Sequence, residues 1–84
     1  MPQTEQVRSA LRFLSRNPNV PAKGLRYIGR KLQETEESPG ETQNLLRSAY
    51  HYLGKRRMLK PEHPMMRNIR RLNKVVGDQD GTRS

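Results

Sequence analysis

Hydrophobic residues recur every three or four positions in four separate segments of this chain, which is the spacing of an amphipathic α-helix. The last segment shows the pattern most clearly, because its apolar residues share one helix face and basic residues occupy the opposite face. Proline and glycine separate the segments. The pattern predicts helices over about residues 5–16, 21–34, 39–57 and 64–76, and it predicts no strand.

The residues at the ends of these segments indicate where each helix starts and stops. Thr4 is a suitable N-cap for the first helix, and Ser38 followed by Glu41 matches a capping box for the third. Gly54 is either the C-cap of the third helix or a weak point within it. Gly77 follows the last apolar residue of the fourth helix, so we expect that helix to stop there.

Length and composition limit the chain to one small domain. It has 84 residues, of which 31% are hydrophobic, and it contains no cysteine. A large core is therefore excluded, as are disulfide scaffolds and cysteine-based zinc sites. We expect an all-α, single-domain bundle of three to four helices over residues 4–77, followed by a disordered tail over residues 78–84.

The distribution of apolar residues also bears on location. No apolar run is long enough to span a membrane, and the first residues lack the apolar stretch of a secretory signal. We therefore expect an intracellular protein, cytoplasmic or nuclear. Residues 7–16 are amphipathic and carry several arginines, as mitochondrial presequences do, so a mitochondrial location stays open.

Positive charge is concentrated in the second half of the chain. The formal net charge is +9, and between Thr42 and Gly77 the single acid is Glu62. Because clustered cations repel one another in a compact state, their retention indicates an anionic partner. The bases of this segment are the candidates to bind phosphates: Arg47, Lys55, Arg56, Arg57, Lys60, Arg67, Arg70, Arg71 and Lys74.

These charges predict a nucleic-acid-binding protein of a regulatory kind, with DNA favoured over RNA. Because side-chain amides and hydroxyls pair with base edges, Thr42, Gln43 and Asn68 are candidates for base contacts. The chain has no nucleophile motif and no set of metal ligands at a recognisable spacing. We therefore predict a non-enzymatic protein that uses no cofactor and no metal ion.

Two successive runs of the chain read LRFLSRNPNVPAKGLRYIGRKL and SPGETQNLLRSAYHYLGKRRML. Together they resemble winged helix-turn-helix DNA-binding domains over about residues 7–59, with a first helix that ends near Asn-Pro, a short second helix and a Ser-capped recognition helix. The resemblance implies that Gly40, Thr42, Gln43 and Arg47 face the major groove of DNA. The chain departs from that family in its long acidic connection between the second and third helices, and a basic helix replaces the wing.

A second resemblance supports an alternative function. The tripeptide Leu11, Arg12 and Phe13 lies where the small basic LYR-motif proteins of mitochondria carry Leu-Tyr-Arg, although it does not match that motif. Those proteins are adaptors and assembly factors. The alternative is therefore a helical adaptor or accessory factor whose basic surface binds an acidic protein partner.

The apolar face of the fourth helix allows two further interpretations. A second copy of the chain could pack on this face, which would produce a homodimer. The face could also bind a membrane surface. We do not favour that interpretation, because the helix lacks the Trp or Phe of most interfacial helices. The residues of this face are Met65, Ile69, Leu72 and Val76.

Overall fold

The computed structural model of the protein describes the backbone of residues 2–83 and the side chains of residues 3–79. Within these limits the regular elements are all α-helices, which confirms the predicted all-α bundle. They are α1 (Pro2–Arg16), α2 (Ala22–Glu34), α3 (Glu41–Lys55) and α4 (Pro64–Arg83).

The fourth helix lies at the centre of the bundle. α4 packs against α1, α2 and α3, whereas α2 and α3 barely touch each other. The core draws on all four helices and on the α1–α2 connection: Val7, Leu14, Val20, Leu25, Leu32, Leu46, Met65, Ile69, Leu72 and Val76.

The face of α4 that was offered for a homodimer belongs to this core. Met65 is 9% exposed, Ile69 is 1% exposed, and Leu72 and Val76 are fully buried. The chain's own helices cover these side chains, because α4 contacts each of the other three. The face is therefore not available to a second chain in this conformation.

Glycines let neighbouring helices approach α4 closely. A Cβ atom at Gly29 of α2 would lie 3.2 Å from Val76 Cγ2 and 3.1 Å from Gln79 Oε1. A Cβ atom at Gly54 of α3 would lie 3.3 Å from Met66 Cε, and Gly54 is inside the helix rather than its C-cap. The cost of glycine within a helix is thus offset by closer packing.

The predicted end of the fourth helix at residue 76 is wrong. α4 continues through Gly77 to Arg83, and Gln79 Nε2 donates a 3.1 Å hydrogen bond to the Arg26 carbonyl. This contact with α2 extends the packed part of α4 beyond the last apolar residue. The side chains of residues 80–84, the rest of the predicted tail, lie outside the described residues.

The starts of the first and third helices also differ from the prediction. α1 begins at Pro2, so Thr4 lies within its first turn. Gly40 is the N-cap of α3, with φ 81°, and no side chain caps it. The Glu41 carboxylate nevertheless accepts a hydrogen bond from the Ser38 backbone N–H at 3.3 Å, which is one of the two bonds of the predicted capping box.

The third helix ends two residues earlier than predicted. It stops at Lys55, and the chain then reverses through Met58, whose φ is 57°. The Leu59 backbone N–H donates a 3.1 Å hydrogen bond to the Leu53 carbonyl and so closes the end of the helix. A methionine therefore occupies a left-handed conformation that usually favours glycine.

Candidate nucleic-acid interface

Every lysine and arginine whose side chain is described is exposed. Among the described residues, Lys31 Nζ forms an ion pair with Glu34 Oε2 at 3.8 Å. None of the nine cations predicted to bind phosphates has a carboxylate within ion-pairing distance among those residues. Their charges are therefore available to an external anion.

Two helices bring part of this charge together. α3 and α4 run antiparallel, because Gln43 near the start of α3 lies beside Gly77, and Gly54 near its end lies beside Met66. Their outward faces enclose a groove of about 290 Å³, which we call the α3–α4 groove. Its lining is Leu46, Arg47, Tyr50, His51, Ile69, Arg70 and Asn73.

The α3–α4 groove continues onto the outer face of α3. There a shallow depression is lined by Arg47 and His51, which it shares with the groove, and by Lys55 and Arg56 further along the helix. Arg47, His51 and Lys55 recur one turn apart, so they share one face of α3, and Arg56 directly follows the end of the helix. A run of cations therefore extends along α3 from the groove to the end of the helix.

The outer face of α4 adds further cations beside the groove. Arg67 and Arg70 line one small depression with Pro61 and Glu62, and Lys74 is exposed one turn beyond Arg70. An Arg70 guanidinium N–H also donates a 3.2 Å hydrogen bond to the Pro61 carbonyl. We call the combined set the basic surface: Arg47, His51, Lys55, Arg56, Arg67, Arg70 and Lys74.

Three of the predicted cations lie outside the basic surface. Arg57 lines a different groove, between α1 and α3, and Lys60 lies in the connection between α3 and α4. Arg71 lies towards the α1–α2 connection, where its guanidinium donates hydrogen bonds to the Val20 carbonyl at 2.8 Å and to Asn68 Oδ1 at 3.3 Å. Arg71 therefore holds the fold together as well as carrying charge.

The prediction that Asn68 contacts a base is wrong. Its side chain is 1% exposed, and its Nδ2 donates a 3.2 Å hydrogen bond to the Leu14 carbonyl near the end of α1. The Leu14 carbonyl also accepts a 3.3 Å hydrogen bond from the Asn17 backbone N–H, so the Asn68 amide is its second donor. Asn68 joins α4 to α1 and does not reach a ligand.

The same correction applies to Thr42, which is fully buried. Its hydroxyl donates to Glu36 Oε2 at 2.7 Å and accepts from Gln3 Nε2 at 2.7 Å. Thr35 Oγ1 in turn donates to Gln3 Oε1 at 2.6 Å. This chain of hydrogen bonds joins the first turn of α1, the end of α2 and the start of α3.

Gln43, the third candidate for a base contact, is partly buried beside α4. Its Nε2 would lie 2.7 Å from a Cβ atom at Gly77, so the amide packs on the glycine backbone. The three predicted base contacts are therefore committed to the interior or to a helix interface. Of the residues that the resemblance placed in a DNA groove, Arg47 is the exposed side chain.

Two further residues, His51 and Asn73, belong to the site. His51 is exposed one turn from both Arg47 and Lys55, a spacing that was readable in the sequence. Asn73 lines the α3–α4 groove, and its Oδ1 is buried without a hydrogen-bond partner among the described residues. No signal in the sequence distinguishes Asn73 from a hydrated surface amide.

Other features of the described residues bear on the class of function. Among them, no group of three or more His, Asp or Glu side chains is placed to hold a metal ion. None of the described helices is both long and apolar enough to cross a membrane. Comparisons with protein families, with curated proteins and with solved structures found no match to this chain.

Proposed function

We propose that this protein is a non-enzymatic nucleic-acid-binding protein that holds phosphates on the basic surface. The observation that carries the proposal is the convergence of Arg47 and Arg70, from two different helices, on one groove. Neither guanidinium has a carboxylate partner among the described residues. Arginine N–H groups bind phosphate oxygens through charge-assisted hydrogen bonds, often two at a time.

The proposed binding is directed mainly at the backbone of the polymer. Because Thr42 and Asn68 are buried, affinity rests on phosphate contacts, which carry little sequence information. The outer face of α3 is a regular helix surface with a row of cations, and the major groove of B-DNA admits such a helix. The major groove of duplex RNA is too narrow for side chains to read, so we expect duplex DNA to be preferred.

The test is fluorescence anisotropy of labelled duplex DNA, duplex RNA and single strands, titrated with protein from about 50 to 300 mM salt. We expect log K to fall against log salt with a slope of about −4 or steeper, as four or five neutralised phosphates require. Absence of binding to all three polymers at the lowest salt would overturn the proposal. The basic surface would then be left for an acidic protein.

A pair of charge-matched variants locates the binding. The variant R47Q/K55Q/R70Q removes three cations from the basic surface, and K23Q/R26Q/R30Q removes three exposed cations from α2. We expect the first variant to flatten the salt slope by up to about 2.7, since each lost phosphate contact contributes roughly 0.9. The second should retain most of the slope. Equal losses in the two variants would show that net charge, and not this surface, governs binding.

A further inference from the structure

A second groove lies between α1 and α3. Its floor is apolar and comes from α1, α3, the connection after α3 and the start of α4, through Leu11, Leu53, Leu59 and Met65. The groove has a volume of about 760 Å³. We call it the α1–α3 groove.

Arginines stand along the edges of this apolar floor. Arg8 and Arg12 lie one turn apart on α1, and Arg57 follows the end of α3. All three are exposed, and none forms an ion pair or a side-chain hydrogen bond with another described residue. No carboxylate lines the groove. An occupant with apolar and acidic groups side by side would match both features.

We propose that the α1–α3 groove binds an amphipathic helix of another protein, one that carries Asp or Glu beside its apolar anchors. The segment of α1 from Arg8 to Ser15 spans about 10 Å, which is the length of roughly two helical turns. A helix of that length presents apolar residues at i, i+3 and i+4 on one face, with neighbouring positions free for acids. Nucleic acid does not suit this groove, because phosphates gain nothing from an aliphatic floor.

The groove is independent of the proposed nucleic-acid interface. Arg8, Arg12 and Arg57 are not part of the basic surface, and the two regions share Tyr52 alone among their described lining residues. The inference therefore stands or falls separately from nucleic-acid binding. It also assigns a role to Arg57, which the basic surface leaves unused.

The probe is a fluorescein-labelled helical peptide of about 14 residues, with Leu at i, i+4 and i+7 and Glu at the flanking positions. A second peptide with Gln for every Glu tests the contribution of charge. Amide chemical shifts of the isotope-labelled protein report where each peptide binds. We expect shifts around Leu11, Leu53 and Arg57, with affinity falling at least about tenfold for the Gln peptide.

Two variants and a matched control complete the test. A49W fills the floor of the groove, and R8E/R12E reverses the charge of one edge without touching a buried side chain. Each should weaken binding of the Glu peptide at least about tenfold, whereas R26E/R30E on α2 should bind it like the native chain. Circular dichroism checks that A49W is folded. If A49W does not fold, the comparison of R8E/R12E with R26E/R30E decides whether the peptide binds in the groove.

Three outcomes would overturn the inference. The first is no binding of the Glu peptide at about 1 mM, and the second is shifts confined to the basic surface. The third is the appearance of the same chemical-shift changes in the α1–α3 groove when the protein concentration is raised without peptide. That result would identify a second copy of this chain as the occupant. If R8E/R12E and R26E/R30E weaken peptide binding equally, the binding reflects net charge alone. That result would overturn the inference in the same way as the second outcome.

Discussion

Replacing Asn68 by alanine separates its structural role from the base-reading role that the sequence suggested. The Asn68 amide is 1% exposed and donates to the Leu14 carbonyl at 3.2 Å. It also accepts a 3.3 Å bond from Arg71. The substitution removes both bonds and leaves a gap between α4 and the end of α1.

The expected loss in the free energy of unfolding follows from these contacts. Loss of the buried bond to Leu14 costs about 1 kcal/mol, and the space left by the carboxamide adds roughly 1 kcal/mol. The bond from exposed Arg71 contributes less, because water competes for that guanidinium. Alanine recovers about 0.5 kcal/mol through its higher helix propensity. We therefore expect the free energy of unfolding to fall by about 2 kcal/mol, a large fraction of the stability of so small a domain.

Urea unfolding followed by circular dichroism measures this loss. With a slope of about 1 kcal/mol per molar urea, the midpoint should fall by roughly 2 M. N44A on the exposed face of α3 is the matched control and should change the midpoint little. Nucleic-acid affinity at low temperature, where the variant is folded, should be unchanged. Native stability combined with weakened binding would refute the structural role and restore Asn68 as a base contact.

Three further substitutions test the ends of the helices. M58G should raise the free energy of unfolding by about 1 kcal/mol, because Met58 has φ 57° and its side chain is 80% exposed, so little packing is lost. Urea unfolding measures this gain in stability. G77A should stabilise by up to about 1 kcal/mol, because α4 continues through this residue and the flexible end of Gln43 can move aside; a loss of stability on thermal unfolding would show that Gln43 is held in place and would contradict the prediction. E36Q should lower stability by about 0.5–1 kcal/mol, because the Glu36 carboxylate accepts from the Thr42 backbone and hydroxyl at the positive end of α3; an unchanged urea midpoint would argue against it.

The helices were predictable because they depend on a repeating pattern, whereas their ends depend on contacts with other helices. Leu25 and Leu32 lie two turns apart on α2, and both are buried as that spacing requires. Gly77 resembles a stop signal in the sequence, yet α4 passes through it because Gln43 of α3 packs on Gly77 and the Arg26 carbonyl of α2 accepts a hydrogen bond from Gln79. Such partners lie far away in the sequence and are invisible to a local pattern.

The burial of Asn68 and Thr42, which the predicted site missed, was readable from their spacing in the sequence. Asn68 lies three residues after Met65 and four before Leu72, so it belongs to the apolar face of α4. Thr42 lies four residues before Leu46 in the same way. Both were interpreted by their side-chain chemistry, although their spacing indicated burial. The grouping of Arg47 with Arg70 was not readable in advance, because it depends on how α3 packs against α4.

Because α4 supplies both core residues and part of the basic surface, stability and binding should respond to salt in opposite directions. Arg67, Arg70 and Lys74 lie about one turn apart on one exposed face, and a turn of about 5 Å is shorter than the Debye length of about 10 Å at 0.1 M salt. These cations repel one another in the native state, so added salt should raise the urea midpoint while it weakens nucleic-acid binding. If salt lowered both, the loss of binding would reflect unfolding rather than screening of phosphate contacts. R47Q/K55Q/R70Q should show a smaller salt-dependent gain in stability than the native chain, since it has fewer cations to screen.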